Sequence, residues 1–67
     1  MTEFQIEEIM DSMRCGQFSQ AVEQLKRTGK MSTILVNLVT LLDNAQSAED
    51  TRLVKKLMVL LAQDVRK

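Results

Sequence analysis

Apolar residues fall in four blocks along the chain, each repeating at helical intervals. In the first, Ile6, Ile9, Met10 and Met13 stand at i, i+3, i+4 and i+7, one face of an α-helix. This spacing predicts a helix over about residues 3–14, with Thr2 as N-cap and Gly16 as the stop. Glu3, Glu7, Glu8 and Asp11 place negative charge in its first turns, mostly favourable with the helix dipole. Phe18, Ala21, Val22 and Leu25 repeat the spacing and predict a second helix over about residues 18–28. Lys26, Arg27 and Lys30 collect at its C-terminal end, where cations complement the dipole, and Gly29 ends it.

The third block is apolar nearly all round. Ile34, Leu35, Val36, Leu38, Val39, Leu41 and Leu42 are broken only by Asn37 and Thr40, which predicts a helix over about residues 32–45 buried on most sides; a lone chain of this size has little with which to surround it, a reason to expect a partner chain. The fourth helix, over about residues 48–66, has a clear start, because Ser47 and Asp50 form a variant of the capping box. Leu53, Leu57, Leu60, Leu61 and Val65 make its stripe, and Val54 and Met58 widen it. Arg66 and Lys67 bring positive charge to its end. No segment alternates like a strand. The expected fold is all-α, a single small bundle of three to four short helices over residues 1–67.

Size changes this picture. A chain of 67 residues buries only about 60% of the surface its unfolded form exposes. Domains this small usually add disulfides, a metal or a partner chain. One cysteine, Cys15, allows no internal disulfide, and without histidine the usual zinc ligand sets cannot be built. A partner chain is the remaining option. The expected core and dimer interface is Ile34, Leu38, Leu41, Leu42, Leu53, Leu57 and Leu61.

Nine basic and nine acidic side chains cancel. A protein that lives on phosphate backbones normally carries a net positive surface, so nucleic acid is the less favoured partner. The start of the chain is acidic and lacks a secretory signal, and the stretch from Ile34 to Leu42 is too short to span a bilayer. These features, with one free thiol, predict a cytoplasmic protein with no membrane association.

Catalytic chemistry is poorly provided for. There is no histidine to act as a base, no Ser–His or Cys–His pair and no glycine-rich phosphate loop. Glu7 and Glu8 are adjacent and point about 100° apart on a helix, so they do not form a catalytic carboxylate pair. The expectation is a non-enzyme without cofactor or metal. Cys15 reads as a small, half-buried hydrophobe. The candidate partner-binding surface is then charged and methionine-rich: Glu7, Glu8 and Asp11, with Lys26, Arg27 and Lys30. Met10 and Met13 fill the core by default, or serve as an adaptable anchor on that surface if the first helix packs loosely.

From Gln20 onward the order Gln20-Ala21-Val22, Leu25, Gly29, then Ile34, Leu38, Leu42, Asp50, Leu53, Lys55, Leu57 and Leu61 resembles the AriR/YmgB and YcgZ family. These are small enterobacterial biofilm-development proteins and two-component-system connectors. The resemblance spans about residues 20–67, and the first helix has no counterpart in it. It implies a dimeric helical regulator. The expected function is to bind a signalling or transcription-regulatory protein, such as a response regulator, and modulate its activity. The alternatives are a nucleoid-associated DNA-binding modulator, a phage- or plasmid-encoded inhibitor of a host protein, and a secretion chaperone.

Overall fold

The computed structural model describes residues 1–66; the Lys67 charge expected at the end of the last helix lies outside them. Four helices follow in order: α1 (Glu3–Arg14), α2 (Phe18–Lys26), α3 (Met31–Asp43) and α4 (Ala48–Val65). Their starts and stops have local causes. The Thr2 hydroxyl accepts the Gln5 backbone N–H at 3.2 Å, and the Gln5 side chain accepts the Thr2 N–H at 2.9 Å, a reciprocal capping box. Ser47 caps α4 by accepting the Asp50 N–H at 3.1 Å.

Two helices stop earlier than the periodicity predicts. The second ends at Lys26, because Thr28 turns back on Leu25: its N–H and its hydroxyl both donate to the Leu25 carbonyl, at 3.1 and 2.6 Å. Gly29 then takes a φ of +150°, which breaks the helical path. The third starts one residue early, at Met31, and ends at Asp43. There the Ala45 N–H turns back to the Leu42 carbonyl at 3.2 Å, and the Asn44 side chain donates to the Thr40 carbonyl at 2.8 Å, beside the Asn44 N–H at 3.1 Å.

The core runs through all four helices. Ile6, Ile9, Met10 and Met13 meet Ala21, Val22 and Leu25, and the same cluster takes in Ile34, Leu38, Leu41, Val54, Leu57 and Leu61. Of the leucines expected in it, Leu42 and Leu53 lie at the edge, partly buried. α1 packs on α2 and α4, α3 packs on α2 and α4, and α1 and α3 scarcely touch.

Within one chain α3 is covered on one face only, that of Ile34, Asn37, Leu38 and Leu41. The helices of one chain supply neighbours on that side alone, and Leu35, Val36 and Val39 face solvent at 53%, 64% and 56% exposure.

The two buried polar side chains, Asn37 and Ser12, are both satisfied. The Asn37 amide donates to the Thr28 hydroxyl at 2.7 Å, tying α3 to the end of α2. The Ser12 hydroxyl sits 3.0 Å from the Glu8 carbonyl and 3.1 Å from the Gln24 side-chain oxygen, joining α1 to α2.

Candidate interaction surfaces

The expected partner surface separates into three parts. Met10 and Met13 leave it altogether. They are 2% and 1% exposed, because the apolar face of α1 is clamped between α2 and α4. An anchoring role for them on the surface is therefore corrected to a packing role.

Glu7, Glu8 and Asp11 stay exposed on the opposite side of α1. Phe4 stands at i relative to their i+3, i+4 and i+7, so all four share one helical stripe. Phe4 is 74% exposed, more than any other large apolar side chain of the described residues. Sequence reasoning passed over it, although its phase is legible: it lies on the polar side of the Ile6–Ile9–Met13 face. The stripe ends at Arg14, whose guanidinium meets Asp11 at 3.1 Å and Asp50 at 3.0 Å.

The basic residues do not form a cluster of free cations. Lys26 reaches Asp64 at 2.6 Å, and that hydrogen bond and charge raise its pKa above the usual lysine value. Arg27 lies 3.6 Å from Glu23 on its own helix. Lys30 is the N-cap residue of α3 and is exposed. On α4, the Lys56 ammonium sits 4.6 Å from the centre of the Phe18 ring, a cation–π contact. Cys15 is exposed rather than half-buried, since it caps α1 at the surface.

An open hollow of about 350 Å³ lies between α2 and α4, with the Lys26–Asp64 bridge, Val22 and Leu60 among its walls. Among the described residues no three metal-ligating side chains gather. No described helix is long and apolar enough to cross a membrane.

The most distinctive surface is the outer flank of α3. From Met31 to Leu42 there is no charged residue. Leu35, Val39 and the half-buried Leu42 recur at intervals of four and three, the spacing of a coiled-coil seam, with Val36 beside them.

No family model, curated protein or solved structure matches the chain. The likeness of residues 20–67 to the AriR/YmgB and YcgZ family rests mostly on apolar spacing.

Proposed function

We propose that this chain is a non-enzymatic regulatory protein that acts by binding. α1 docks its outer stripe on a basic, partly apolar surface of a signalling or transcription-regulatory protein and changes that protein's activity. The observation that carries this reading is Phe4, an aromatic left in solvent and set on one stripe with Glu7, Glu8 and Asp11. An exposed aromatic supplies contact area at low entropic cost, and the carboxylates around it select a cationic partner. DNA is the weaker alternative, because Lys26 and Arg27 already face carboxylates of their own chain.

The test is a tagged pull-down from nuclease-treated bacterial lysate, read by mass spectrometry for the parent chain, Phe4→Ala and the double variant Glu7→Lys/Glu8→Lys. The reading expects a regulator recovered by the parent and lost with both variants. Its recovery should fall as salt rises, because exposed charges are screened. Identical recoveries from all three chains overturn it.

A further inference from the structure

The outer flank of α3 has an unpartnered seam, and the ends of the same helix indicate what covers it. A helix N-terminus favours anions and a C-terminus favours cations. α3 carries the reverse, with Lys30 at its N-cap and Asp43 in its last turn. It has no acidic residue in the first turn, no basic residue in the last, and no side-chain cap on its N-terminus. Among the described residues it is the one helix mischarged at both ends. Neither Lys30 nor Asp43 has an ion-pair partner among the described residues.

One arrangement resolves both ends and covers the seam. We propose that α3 is a self-association helix, which pairs antiparallel with α3 of a second copy across Leu35, Val36 and Val39. The twofold axis passes close to Val36 and Asn37, midway along the 13 residues of α3. Leu35 then lies against the partner's Val39, and by symmetry the reverse contact forms as well. Lys30 comes to the end of the helix that carries the partner's Asp43. Each carboxylate reaches a helix N-terminus and each ammonium a C-terminus, so two contacts unfavourable within one chain become favourable between two. A parallel pair would instead set Lys30 against the partner's Lys30 and leave both ends mischarged.

The seam is accessible and outside the core, so its variants are expected to fold. Sedimentation equilibrium on the parent chain, at concentrations up to roughly 1 mM, is expected to give a dimer. Leu35→Glu should give a monomer with unchanged helical circular dichroism. The charges distinguish the geometry. Lys30→Asp supplies a better N-cap to the lone helix, and Asp43→Lys a better C-terminal charge, so each should raise the thermal stability of a Leu35→Glu monomer. In the parent background each should weaken the pair by about tenfold, because two symmetry-related like-charge contacts replace two ion pairs. The double swap Lys30→Asp/Asp43→Lys should restore pairing. A parent chain that stays monomeric overturns the proposal and leaves the seam to a different protein. A dimer indifferent to Leu35→Glu, or one that single swaps do not weaken, overturns it too.

Discussion

Arg14 holds Asp50 through two nitrogens, with Nε 3.3 Å from Oδ1 and Nη2 3.0 Å from Oδ2. The pair joins the last turn of α1 to the first turn of α4, across 36 positions of sequence. The guanidinium's hydrogen bond and charge hold the Asp50 carboxyl below the usual aspartate range, and hydrogen bonding from the Gln46 backbone adds to this. A carboxyl with a depressed folded-state pKa stabilises the fold above its unfolded value, about 3.9. That contribution fades as pH falls through the folded value. Asp50→Asn is therefore expected to melt below the parent at pH 7 and to converge with it in strong acid. Thermal melts on both chains down the acid range check this, and parallel curves would refute it.

The Thr28–Asn37 bond can be tested by removing one or both partners. Thr28→Val leaves the buried Asn37 amide without its acceptor, at a cost of about 1–3 kcal/mol. Thr28→Val/Asn37→Leu removes the unsatisfied donor as well, and should recover part of that loss. Urea denaturation of the three chains measures it. A double variant no more stable than Thr28→Val would show that the hydrogen bond is not what the single change removes.

Met13 marks how tightly α1 is packed. Truncation to Ala at this fully covered position should cost about 2–5 kcal/mol, enough to unfold a bundle of this size. Glu8→Ala, one face away, should change stability by less than about 0.5 kcal/mol. Comparable losses for the two would contradict the burial of this helix.

The two glycines should differ. Gly16, at φ +79°, has open space where a Cβ would stand, so Gly16→Ala carries the conformational penalty alone, about 1 kcal/mol. At Gly29, φ +150°, a Cβ would also meet Cβ and Cγ2 of Thr33 at 3.2 Å. Gly29→Ala should cost about 1–3 kcal/mol and exceed the Gly16 change. Chemical denaturation of both variants tests the order.

These residues also show what the sequence made readable. α1, α2 and α4 each carry an apolar stripe beside a polar one, so Ile9, Leu25 and Leu57 could be assigned to the core by phase alone. Thr2 and Ser47 announced their helices because caps act within one turn. α3 offered no such phase. With apolar residues all round, periodicity cannot tell Leu38 from Leu35, and only packing against α2 and α4 turns one in and leaves the other out. Met10 and Met13 were ambiguous because methionine suits core and surface alike. The Arg14–Asp50 and Lys26–Asp64 pairs, 36 and 38 positions apart, follow no local pattern. The second of them takes Lys26 out of the basic cluster expected at the end of α2 and into a bridge within the chain.

Because α2 and α4 stand between α1 and α3, the acidic stripe and the apolar seam belong to helices that scarcely touch. Occupying one therefore need not obstruct the other. Two copies joined through α3 would carry two Phe4-centred stripes on a single twofold particle. Such a particle is divalent, and its second stripe would bind a dimeric or clustered target at high effective concentration. A weak contact at each stripe could then hold firmly, and the grip of such a particle would depend on its own concentration as well as its target's.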